Sequence, residues 1–192
     1  ASQHGELSAP ILSFASSDSL LQVLTFTTGR FNRFDGRAAG SVGGEVFITG
    51  AEFVIGDETL VSALETGPST FNGILTGNSG TFRKVGTDTT FLTNDASTFA
   101  GRVRIDSGTL EVAPGTLKNA VLDVGPAGTL RVPLAGPARP VSIGAIDGTF
   151  DLVLRDTTIL MGGGNHDATW RGRFTAGTVG LRRETGTGIQ TI

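Results

Sequence analysis

The chain has no cysteine and no tyrosine, one tryptophan and one methionine, and only 17 % charged residues. Each shortage excludes something. Without cysteine there is no disulfide framework and no thiolate metal site. A solenoid needs neither, because its core runs continuously along the axis, so export stays compatible with the composition. Lys and Arg number 15 against 18 Asp and Glu, a formal net charge of −3. Nucleic acid calls for a basic face, and this balance argues against it as a partner. No apolar run approaches the roughly 18 residues of a membrane helix, so no membrane span is expected. The segment from Ala1 does not read as a signal peptide, and Ala in place of an initiator Met leads to the expectation of a processed chain. No Gly-x-Ser-x-Gly occurs, which excludes a nucleophile elbow.

What the chain does have is glycine, 29 of its 192 residues, roughly twice the usual share of about 7 %. Without collagen spacing, that abundance fits many tight corners between short strands. The corners repeat. Gly108-Thr109-Leu110-Glu111-Val112 and Gly128-Thr129-Leu130-Arg131-Val132 lie 20 positions apart, and Gly148-Thr149-Phe150-Asp151-Leu152 follows at the same interval. Each copy reads as a corner glycine followed by a strand with apolar side chains on alternate positions. A second pattern, small–Thr–aromatic–x–Gly–x–apolar, occurs at Ser69–Leu75, Ser97–Val103 and Ala168–Phe174. Its first two copies carry a Gly-Thr-apolar signal at the same offset, Gly80-Thr81-Phe82 and Gly108-Thr109-Leu110, so both marks move together by 28 residues.

A strand this short buries its apolar face only against the next copy, which is the logic of a solenoid. The expected fold is all-β, a parallel β-helix with short strands and glycine-rich corners. Phe82, Leu110, Leu130 and Phe150 are expected to stack as one inward ladder, and Phe71, Phe99 and Trp170 to mark a related corner. The corner glycines are Gly73, Gly80, Gly101, Gly108, Gly128, Gly148 and Gly172. Residues 45–192 form the solenoid repeats, and 1–44 an N-terminal arm or cap capable of strand donation. Asp57–Glu65 is the one helix-like window, and the proline-bearing 133–147 reads as a loop or wide corner.

The run Ser97–Val112 resembles the passenger-associated repeat of bacterial autotransporters. Phe99, Gly101, Val103, Ile105, Gly108, Thr109, Leu110 and Val112 carry the likeness, and a second Gly-Thr-Leu follows at 128. The resemblance covers 97–132 well and 69–82 less closely. It implies a right-handed parallel β-helix stalk, displayed on or released from a Gram-negative surface, and no particular activity. The family's C-terminal membrane barrel has no counterpart before Ile192, since no long amphipathic strands occur there.

The ionisable residues carry competing readings. His4 lies in the N-terminal segment. His166 beside Asp167 reads as a loop residue rather than a base, for want of an orienting partner. Gly162–Asp167 resembles one degenerate copy of a calcium-binding nonapeptide, a motif that binds only when copies stack, so no metal and no cofactor are expected. Asp106, Asp123, Asp147 and Asp151 are spread among the coils. Stacking could bring two of them to the separation of a glycosidase pair, about 5–9.5 Å, but short acidic side chains at corners more often cap turns. Arg102, Arg104, Arg171, Arg173, Arg182 and Arg183 read as a solvated sheet face, with sulfated or acidic glycan as the alternative partner.

Three functions follow. The first is a non-enzymatic extracellular structural or adhesive rod of the autotransporter-passenger type. The second is a filament subunit stacking on itself end to end, through Ile189 and Ile192 at one end and Ile11, Leu12 and Phe14 at the other. The third is a polysaccharide-active β-helix enzyme.

Overall fold

A computed structural model describes residues 5–12, 20–23, 27–34, 45–48, 50, 52–56, 68–132, 140–150, 152, 157–162, 166–173, 179–183 and 188–191. Among them are sixteen strands and no helix, and every strand pair is parallel, forming a β-solenoid.

The strands fall on three sides. The first carries β1 (Gly5–Leu12), β3 (Thr27–Phe34), β5 (Glu52–Ile55) and β8 (Thr81–Lys84). It continues through the first half of β10 (Arg102–Val112), the middle of β11 (Leu117–Arg131) and the end of β12 (Val141–Asp147). The second side begins with β2 (Leu20–Val23), β4 (Glu45–Ile48) and β7 (Ile74–Thr76). Thr98 and Phe99 both donate backbone bonds to Leu75 O, at 2.9 and 3.1 Å, and so lay 98–99 over β7. Higher up, the start of β12, β13 (Thr157–Met161) and β15 (Val179–Arg183) form one stack. The third side holds β6 (Ser69–Phe71), β9 (Thr89–Leu92) and the later halves of β10 and β11. Two short strands, β14 (Ala168–Thr169) and β16 (Gln190–Thr191), pair near the C-terminal end.

The alternation in the sequence becomes columns of buried side chains. On the first side Phe53, Phe82, Val103, Leu122 and Ile146 lie in register on successive rungs, and each is fully buried. The rings of Phe53 and Phe82 stack with centroids 5.5 Å apart and planes 18° from parallel. On the third side the column runs Ser69, Thr90, Leu110, Leu130, beside Phe71, Leu92, Val112. Full burial of each large apolar side chain is worth about 1.5–3 kcal/mol. Parallel rungs about 4.8 Å apart make that burial continuous along the axis.

Three expectations are corrected. Leu110 and Leu130 are direct register partners, but Phe82 belongs to a different column, and the rung-mate of Leu110 in the preceding coil is Thr90. The reason is that corner glycines recur at each bend of the coil. Gly80-Thr81-Phe82 opens the first side, whereas Gly108-Thr109-Leu110 opens the third. Phe150 enters no strand pair among the described residues; its ring lies against Trp170, centroids 6.4 Å apart. Likewise Phe71 and Phe99 occupy different sides, so the 28-residue offset is not a lap. Trp170 stands on yet another rung, bridged to Gly148.

The parallel sheets also reach into the first 44 residues. β1 pairs with β3 and β3 with β5, while β2 pairs with β4, so the described strands of this segment continue the parallel pairing of the coil. The window 57–65 lies outside the described residues.

Candidate functional site: the charged face and the coil ends

Alternation that buries Phe82 and Val103 turns their neighbours outward. Glu52, Arg83, Arg102, Arg104, Asp106, Asp123 and Asp147 therefore collect on the outer surface of the first side. Arg83 reaches Glu52 at 3.6 Å and Asp106 at 2.5 Å. Arg104 Nε donates to the other oxygen of Asp106 at 2.6 Å. Arg102 spans Asp123 at 3.6 Å and Asp147 at 3.0 Å. Asp123 and Asp147 are themselves rung-mates, and one guanidinium separates their charges.

This arrangement sets the chemistry of Asp106. Burial alone pushes its carboxyl upward, but hydrogen bonds from Arg104 and Arg83, with their charges, outweigh it and hold the group below the usual carboxylate range. The same pair keeps Arg104 more firmly protonated, chiefly through its hydrogen bond to Asp106. A glycosidase acid requires the opposite shift. Asp106 is an ionised acceptor between two cations.

The other titratable candidates serve the coil. His166 Nε2 lies 3.1 Å from Asn119 O, 47 residues away. Asp167 Oδ1 accepts the backbone N–H of Ile189 at 2.7 Å, so the two neighbours point to different partners. Asp151, Asn165 and His4 lie outside the described residues. Arg171, Arg173, Arg182 and Arg183 are exposed near the C-terminal end. Among the described residues no group of three or more His, Asp or Glu is placed to hold a metal ion.

The expected corner glycines divide by cause. Gly80, Gly108 and Gly148 have positive φ, and Gly108 (φ 68°) would also set a Cβ 2.4 Å from Gly86 O. Gly101, Gly128 and Gly172 are excluded from substitution by close approach instead; a Cβ on Gly172 would lie 1.7 Å from Phe150 O. Gly73 is buried between β6 and β7. Of the self-association candidates, Ile189 is 66 % exposed; Ile11 and Leu12 lie in β1, and Phe14 and Ile192 fall outside the described residues.

Two residues with structural consequence escaped the sequence reading. Lys84 is fully buried, in the inward column between Ile55 and Ile105. Its ammonium donates to Val85 O and, at 3.2 Å, to Gly86 O. The alternation Thr81-Phe82-Arg83-Lys84 was the available signal, since it puts Lys84 on the same face as Phe82. Gln190 uses its side-chain amide on both backbone groups of Ile146, and no local pattern announces that. Comparison of the chain with family models, curated proteins and solved structures finds no match.

Proposed function

We propose that the chain is a non-enzymatic structural or adhesive rod, exposed on or released from the surface of a Gram-negative cell. The observation that carries this reading is the use made of the ionisable residues. Asp106 is held between Arg83 and Arg104, Arg102 joins Asp123 and Asp147, and His166 and Asp167 tie loops to neighbouring coils. These groups stiffen a repetitive surface rather than converge on one reacting atom. The surface setting is supported by the passenger-type repeat over 97–132. Such a rod offers regularly spaced outer side chains, Thr89, Thr109 and Thr129 among them in one column, to a glycan or host molecule.

The experiment is surface proteolysis of intact cells that carry the native gene, paired with a polysaccharide panel. The reading predicts digestion of the chain in intact cells and retention of polysaccharide, if any, without release of oligosaccharide. Protection of the chain until lysis overturns the surface setting. Oligosaccharide release that Asp106→Asn or Asp123→Asn abolishes overturns the non-enzymatic assignment.

A further inference from the structure

Among the described residues Lys84 is the one charged side chain buried outright. It points inward between Ile55 and Ile105, its partners on the neighbouring rungs, and both of those are fully buried. Val85 O and Gly86 O accept from its Nζ, the second at 3.2 Å. An ammonium taken out of water is costly unless oxygen acceptors replace the lost hydration. Here main-chain carbonyls at a bend of the coil do so.

The bend is shaped around that group by three successive laps. Gly56, Gly86 and Gly108 all have positive φ, at 84°, 73° and 68°, a conformation that glycine adopts without steric cost. A Cβ on Gly56 and a Cβ on Gly108 would each lie 2.9 Å from Lys84 Nζ. The ammonium therefore sits between bare glycines of the lap before and the lap after, while its own lap supplies the two carbonyls. Arg83, the preceding residue, faces the other way, toward Glu52 and Asp106 on the outer surface.

We propose that this bend is a binding site for a primary ammonium, which the native chain fills from within and which takes a free alkylammonium once the tether is removed. Its acceptors are fixed in the backbone, so they select a small cation with N–H donors to give. A quaternary ammonium has none, and a neutral alkyl chain leaves Val85 O and Gly86 O without that donor. The isoleucines on either side match the apolar stem of such a ligand. The inference goes beyond the rod reading and does not depend on it, so its failure leaves that reading standing.

Lys84→Ala removes Cγ, Cδ, Cε and Nζ, the heavy atoms of n-propylammonium. Melting of the full chain carrying this change is followed against n-propylammonium chloride, with n-propanol and tetramethylammonium chloride as controls at matched concentration and ionic strength. Expected is a saturable rise with propylammonium alone, about 2–4 °C at a concentration several times the dissociation constant. The parent and Lys84→Met, whose own side chains fill the site, show no such rise. Should Lys84→Ala not fold, Lys84→Cys carries the test, because the chain has no other cysteine. Alkylating that thiol in the unfolded chain with 2-bromoethylamine gives an ammonium of lysine's length, and with iodoacetamide a neutral amide of similar length. After refolding, the aminoethyl form is expected to melt close to the parent and the amide form well below it. A folded Lys84→Ala indifferent to propylammonium, a control that acts as well, a Lys84→Met that responds equally, or an aminoethyl form no more stable than the amide overturns the proposal.

Discussion

The side-chain amide of Gln190 pairs with the backbone of Ile146 as another strand would, its Oε1 accepting from Ile146 N at 2.8 Å and its Nε2 donating to Ile146 O at 2.9 Å. The two residues are 44 positions apart. One side chain thus fastens the last described rung to β12, where a backbone partner would otherwise stand.

Gln190→Ala removes that fastening and leaves a part-buried N–H and C=O without it. The expected cost is about 1–3 kcal/mol, concentrated at the C-terminal end. Hydrogen exchange should speed up at Ile146 and at 188–191, while Phe82 and Val103 stay protected. Unchanged exchange at Ile146 would show that the amide is dispensable.

Lys84 places an ammonium among carbonyls at a corner, with its aliphatic stem in the core column. Lys84→Met keeps most of the stem and removes the donor from Val85 O and Gly86 O. A loss of about 1–3 kcal/mol in denaturant unfolding is expected. Lys84→Ala adds a cavity and costs more. A methionine variant as stable as the parent would mean that the charge contributes nothing there.

Gly108 combines positive φ with a Cβ position 2.4 Å from Gly86 O, whereas a Cβ on Gly115 meets its nearest neighbour, Asp95 O, only at 3.2 Å. Gly108→Ala should cost about 1–3 kcal/mol and Gly115→Ala well under that. Paired melting curves check it, and equal losses would contradict the assignment of Gly108 as a bend in the coil.

Asp106 gives a pH signature. Its folded carboxyl titrates below the unfolded value of about 3.9, so the stability it contributes is present above that value and lost as pH falls through the lowered folded one. Asp106→Asn is therefore less stable than the parent at pH 7, by up to about 1 kcal/mol for each partly exposed ion pair lost. The gap narrows on acidification below the carboxylate range and also shrinks in high salt. Denaturant titrations at pH 7 and pH 3 measure it; a gap that widens in acid would reverse the sign.

How much of this was legible depended on what kind of signal each feature carries. The 20-residue spacing of Gly108-Thr109-Leu110 and Gly128-Thr129-Leu130 reflects one full lap, and their leucines do meet. The same three-residue word at Gly80 marks a different bend, because a glycine corner satisfies the same steric demand wherever the backbone turns. Period-2 alternation located Phe82 and Arg83 on opposite faces but says nothing of which side of the coil a strand occupies. The ion pairs of Arg102 with Asp123 and Asp147 depend on register between laps of unequal length, Val103 to Leu122 and Leu122 to Ile146, which no local window contains. The rungs β1–β3 were hidden by small polar residues between short apolar runs.

The central claim is that successive laps stack in register, residue over residue. The chain has no native cysteine, so pairs introduced on the outer column Thr89, Thr109, Thr129 report that register cleanly by disulfide formation under mild oxidation. Adjacent rungs at about 4.8 Å fall within the Cα separation a disulfide accepts, and rungs two apart do not. Thr89→Cys with Thr109→Cys, and Thr109→Cys with Thr129→Cys, are predicted to cross-link within the folded chain, while Thr89→Cys with Thr129→Cys is not. Cross-linking of the 89/129 pair, or failure of both adjacent pairs, would contradict the stacked coil.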